Sequence, residues 1–183
     1  MFRLTAAAGG AYKSPMISRI RFLILATAAA IVAVAPIAAA APKGTGLPLP
    51  RFVSLRADTV NMRTGPGVQY PVGWVFQRRE LPVEVIAEYR TWRKVRDWQG
   101  AEGWMHSSML GGARTIIVTG TIATLRADAA NNARPVARAE PGAIGRLKGC
   151  PEGLAWCRVE IGGRDGWLER TAFWGVYAGE VVE

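Results

Sequence analysis

The chain has 183 residues, 50% of them hydrophobic and 20% charged, with 21 Gly, 11 Pro and 2 Cys. This composition excludes wholesale disorder, a disulfide-dense scaffold and a multi-cysteine zinc site. The single histidine, His106, excludes any centre that needs two imidazoles, and the +9 formal charge is uneven, since residues 1–41 hold four basic side chains and no acid.

The N-terminal segment has the form of an export signal. Arg19 and Arg21 precede an apolar run from Phe22 to Ala35, Pro36 interrupts it, and Ile37 leads into a stretch of alanines. A basic region, an apolar region and small residues at the end describe a secretory signal peptide over residues 1–41, with Met16 as an alternative start. The competing reading is an uncleaved anchor, the only membrane attachment the sequence offers. Its alanine content and Pro36 make a weak spanning helix near the ~20-residue minimum. On either reading the remainder is expected to be exported, to the periplasm or the extracellular space. Residues 42–51 are rich in proline and glycine, which suit neither a helix nor a central strand, and read as an extended linker.

Beyond the linker the sequence repeats itself. Val60-Asn-Met-Arg63 matches Ala123-Thr-Leu-Arg126, Trp92-Arg-Lys-Val95 matches Trp156-Cys-Arg-Val159, and Gly103-Trp104 matches Gly166-Trp167. The offsets are 63, 64 and 63 residues. Order and spacing agree, which defines two units, 52–111 and 115–177, followed by a tail, 178–183. Within each unit, short β-rich runs are separated by glycine turns, the pattern of a small antiparallel barrel or sandwich. In Trp92–Trp98, strand alternation places Trp92, Lys94, Arg96 and Trp98 on one face and Arg93, Val95 and Asp97 on the other. Trp104 and Trp167 are expected to be mostly buried. His106–Leu110 and Glu169–Ala172 each suit one short helical turn.

Val60-Asn-Met-Arg-Thr-Gly-Pro-Gly67, Trp92-Arg-Lys-Val95 and Gly103-Trp-Met105 together resemble the bacterial SH3-like domain family. The second unit resembles it less closely. It keeps Leu125-Arg126, Trp156, Val159 and Gly166-Trp167, but has Ala127-Asp-Ala-Ala130 in place of the Gly-Pro. The resemblance implies an all-β chain of two tandem SH3-like barrels, each half-open and five-stranded. It implies no particular ligand, because such barrels host many functions.

Export favours a structural disulfide between Cys150 and Cys157 over a reactive thiol. No catalytic residue is assigned. His106 and its neighbours Ser107 and Ser108 share one turn and cannot converge as a triad. The carboxylates are scattered, with no pair singled out for glycoside hydrolysis. Phosphate-loop, dinucleotide and zinc-protease motifs are absent, so no cofactor and no metal is expected. Tyr70, Trp74, Trp92 and Trp98 form the candidate aromatic strip for an extended peptide or glycan, with core packing as the alternative. Arg78, Arg79, Arg90, Arg93, Lys94 and Arg96 read as a basic face, either merely solvated or attracted to anionic envelope material. The export signal argues against nucleic acid. The sequence therefore points to a non-enzymatic binding or scaffold protein that recognises cell-wall (peptidoglycan) peptide or an envelope protein. The competitors are a cell-wall hydrolase or its targeting subunit, and a protein assembly module without cell-wall affinity.

Overall fold

The computed structural model describes residues 44–183; the expected signal segment lies outside them. Strands β1 (Arg51–Leu55), β2 (Val60–Arg63), β3 (Val72–Phe76), β4 (Pro82–Tyr89), β5 (Trp92–Arg96), β6 (Glu102–His106) and β7 (Leu110–Gly111) form one antiparallel sheet in the order β3-β2-β6-β5-β4-β1-β7. Strands β8 (Thr115–Val118), β9 (Ala123–Arg126), β10 (Pro135–Ala139), β11 (Ile144–Gly149), β12 (Trp156–Ile161), β13 (Arg164–Glu169) and β14 (Phe173–Trp174) repeat that order as β10-β9-β13-β12-β11-β8-β14. The chain is all-β, and each unit has seven strands rather than the five implied by resemblance. Single 3-10 turns, Ser107–Met109 and Arg170–Ala172, stand where short helical turns are expected.

Two-residue alternation decides which side chains enter each core. Arg93, Val95 and Asp97 point inward, while Trp92, Lys94 and Arg96 face out. Buried Asp97 is satisfied by accepting from the Gln99 and Ala101 backbone N–H groups at 3.0 and 2.7 Å, which fixes the β5–β6 turn. Val60, Met62, Val83, Val85, Val95 and Met105 fill the first core. Ile116, Val118, Leu125, Val159 and Leu168 fill the second, together with Cys150 and Cys157. Removing a side chain of this size from water contributes about 1.5–3 kcal/mol.

Trp104 and Trp167 are largely covered, as expected, but they lie on the outer face of their strands rather than in the core. The inward places belong to their neighbours, Met105 and Leu168 on one side and the glycines on the other. A Cβ at Gly103 would lie 2.5 Å from Met62 Cγ and 2.8 Å from the Arg63 carbonyl oxygen; at Gly166 it would lie 2.6 Å from Leu125 Cγ and 2.8 Å from the Arg126 oxygen. These glycines exist because two strands meet there without room for a side chain.

The two barrels pack against each other. Phe52 on β1 meets the edge of Trp174 at 4.8 Å and the ring of Tyr177 at 4.7 Å. The Tyr177 hydroxyl donates to buried Glu84 at 2.9 Å, and burial followed by that carboxylate raises the phenol's pKa. Ile117 of β8 joins the first barrel's core. Arg146 pairs with Glu80 at 3.0 Å. Arg114, in the short connection, donates to the Gly175 carbonyl and to both oxygens of Glu180, and its guanidinium lies 5.7 Å from the Phe52 ring. Apolar and charged contacts together thus fix the barrels through side chains rather than through the connecting backbone alone.

Both ends of the described chain are also held. The Arg51 side of the expected linker already belongs to β1, and Thr45 donates from its backbone and hydroxyl to Glu88. Arg51 and Arg93 pair with the same carboxylate at 2.6 and 3.2 Å. Burial raises the Glu88 pKa, but the Arg51 and Thr45 hydrogen bonds and the Arg93 charge outweigh it and hold the group at about 2. In the tail, Val182 exchanges two backbone hydrogen bonds with Cys150, at 2.7 and 3.1 Å. Cys150 and Cys157 form a disulfide, with Cα atoms 4.3 Å apart.

Replacing both cysteines by serine removes a cross-link spanning seven residues of separation. Chemical denaturation should show a loss of roughly 2–3 kcal/mol. The Glu88 interaction gives a pH signature. Its folded pKa lies below the ordinary 4.5, so the stabilisation is present above about 4.5 and disappears as pH falls through about 2. Thermal melts between pH 5 and pH 2 should therefore show a smaller drop in Tm for Glu88→Gln than for wild type; equal drops would contradict this account.

Candidate functional site

Alternation along β12 directs Trp156, Arg158 and Glu160 outward, away from buried Cys157 and Val159. On β13 the outward residues are Trp167 and Glu169, and on β9 they are Thr124 and Arg126. The register sets Trp156 opposite Glu169, Arg158 opposite Trp167, and Trp167 opposite Arg126. Two cross-strand rows result, one of Trp156 with Glu169 and one of Arg158, Trp167 and Arg126.

A concavity of about 440 Å³ lies over the first row. Trp156 and Glu169 line it with Thr124, Arg126, Asn131 and Thr171, and the Thr119–Ile122 segment forms its rim. Arg126 donates through Nη1 to the Ala133 carbonyl at 2.9 Å, so it holds the β9–β10 loop beside the groove. A guanidinium has five N–H donors, which leaves others for a ligand. An indole surface, several hydroxyls, a cation and an anion can together bind an extended polar chain with an apolar stem.

The equivalent place on the first barrel is occupied differently. Trp92 lies opposite His106, and the two rings meet edge to face at 5.4 Å. His106 Nδ1 is 2.7 Å from Ser108 Oγ and accepts from the Ser108 backbone N–H at 3.3 Å, capping the 3-10 turn. Arg63 parallels Arg126, donating to the Val68 and Tyr70 carbonyls at 3.1 and 2.7 Å.

The four aromatics singled out from sequence do not share one groove. Tyr70 is exposed in the β2–β3 loop, Trp74 is 62% exposed on β3, Trp92 is half-buried at the start of β5, and Trp98 is exposed beyond its end. Trp92 and Trp98 are ~20 Å apart along an extended strand, and β3 lies three strand spacings, ~14 Å, from β5. None of these rings stacks on another among the described residues. Trp156, which does line a groove, is the repeat counterpart of Trp92; the offset between the units was the signal that could have found it.

The basic face is largely neutralised from within. Arg93 pairs with Glu88, Lys94 with Glu102 at 2.7 Å, and Arg96 with both Glu102 and Glu84 at 3.0 and 3.3 Å. Hydrogen bonds from Lys94 and then Arg96 lower the Glu102 pKa. Arg78, Arg79 and Arg90 remain exposed.

Comparison with known proteins gives one family, the bacterial SH3 domain, whose model matches twice, over residues 56–112 and 119–175. Among solved structures, NlpC2 from Trichomonas vaginalis is 11% identical, with 68% of this chain and 48% of that chain covered and a TM-score of 0.32. NlpC1 from the same organism is also 11% identical, with 73% of this chain and 48% of that chain covered and a TM-score of 0.32. The chain matches about half the length of each. No curated protein matches it in sequence.

Proposed function

Since this chain belongs to the bacterial SH3 domain family, we propose that it is an exported, non-enzymatic envelope-binding protein that holds a cell-wall peptide in the groove of its second barrel. The observation that carries this reading is the groove itself, with Trp156 in its wall and Arg126 and Glu169 at its sides. A cell-wall peptide offers carboxylates for the guanidinium, an amine for Glu169, and aliphatic stems for the indole. Weak contacts of each kind favour a reversible module over a tight trap.

Export is supported by the disulfide, since such bonds persist in oxidising compartments. The non-enzymatic reading rests on where the reactive groups are spent. Glu84, Glu88, Glu102, Glu160 and Glu180 are held by cationic partners, and His106 caps a turn.

A pull-down on purified sacculi tests the proposal. Trp156→Ala should reduce retention by about tenfold, as loss of an aromatic anchor does. Trp92→Ala should be retained like wild type. Equal retention of wild type and Trp156→Ala would reject the groove, and release of soluble fragments by the wild-type protein would reject the non-enzymatic reading.

A further inference from the structure

The same module occurs twice in this chain, and its two outer edge strands are treated differently. In the second barrel the edge strand β10 starts with Pro135 and carries the exposed Arg138. Both are devices that prevent another strand from pairing there, because proline lacks an N–H and a charge resists burial. In the first barrel the equivalent strand β3 reads Val72-Gly-Trp-Val-Phe76. At the repeat offset, Val72 replaces Pro135 and Val75 replaces Arg138. Strand β3 pairs only with β2, which leaves its other backbone edge unpaired among the described residues. Val72, Trp74 and Val75 are exposed along it, and Val68 and Tyr70 extend the apolar surface into the preceding loop.

Charge says what kind of strand would fit. Arg78 and Arg79 follow β3 after Gln77, are exposed, and form no ion pair among the described residues. We propose that β3 is a docking edge for an extended segment of a partner protein, added antiparallel, apolar along β3 and acidic at its N-terminal end. Antiparallel addition places that end beside Arg78 and Arg79, where β3 finishes. Main-chain hydrogen bonds supply affinity, alternate side chains meet Trp74, and the two arginines set direction. A second copy of this chain fits less well, because its own β3 brings no acid to the arginines. The inference is independent of the Trp156 groove, which lies on the other barrel.

The test is a titration of the whole protein with the blocked peptide Asp-Glu-Asp-Thr-Val-Thr-Ile-Val, followed by calorimetry and by amide chemical shifts. The largest shifts are expected in Val72–Phe76. Val75→Arg, which copies the residue of the second barrel, should weaken binding by about tenfold with the Tm unchanged. Arg78→Glu with Arg79→Glu should likewise weaken this peptide and favour one whose three acids are replaced by lysine. No binding by the wild type, equal affinity of the acidic and lysine peptides, shifts confined to other strands, or a wild-type dimer that Val75→Arg dissolves would each overturn the proposal.

Discussion

The approach of β6 to β2 across Gly103, and of β13 to β9 across Gly166, is the constraint on which the rest of this structure depends. Neither contact leaves room for a Cβ. Each fixes the phase of alternation along its strand. With glycine inward, Met105 or Leu168 must also point inward, and the tryptophan between them must point outward. A one-residue slip would exchange the two faces, burying tryptophan where only hydrogen fits. The outer rows, including the one that carries Trp156 and Glu169, inherit their position from this register.

The second determinant is the contact between barrels. Small domains of this size bury a limited fraction of their surface, so shared burial has leverage. Phe52, Ile117, Trp174 and Tyr177 provide the apolar part. Glu84 is the costly part, since a buried carboxylate needs compensation. The Tyr177 hydroxyl and Arg96 provide it. The Arg114–Glu180 pair then ties the tail to the connection between barrels. What reads in sequence as a spacer and a tail is, in three dimensions, one part of a closed hydrogen-bonded system. The disulfide sits at the far side of the same tail, with Cys150 paired to Val182.

Basic residues illustrate how composition misleads about electrostatics. The cluster in the first unit looks like a positive face when counted along the chain. Strand pairing brings Glu84, Glu88 and Glu102 beside it, and the charges mostly cancel at short range. Of the arginines left over, Arg78 and Arg79 follow the apolar edge strand β3 while Arg90 lies in the β4–β5 turn, so the remaining charge is split between separate places rather than spread over one face.

By itself the sequence determined the repeat, the all-β class, the shared face of Arg93, Val95 and Asp97, the two short turns and the cysteine pair. The cysteine pair follows from the oxidising compartment that the N-terminal segment implies; the others follow from period and spacing, which are local properties of a chain. Only the tertiary structure decided that Trp104 and Trp167 face out, that Tyr70, Trp74, Trp92 and Trp98 do not converge, and that Trp156 lines a groove while Trp92 packs on His106. The reason is that these outcomes depend on which strands become neighbours and how closely they approach. A glycine in a strand announces a close approach without naming the partner, and a tryptophan announces a large surface without saying which face will need it.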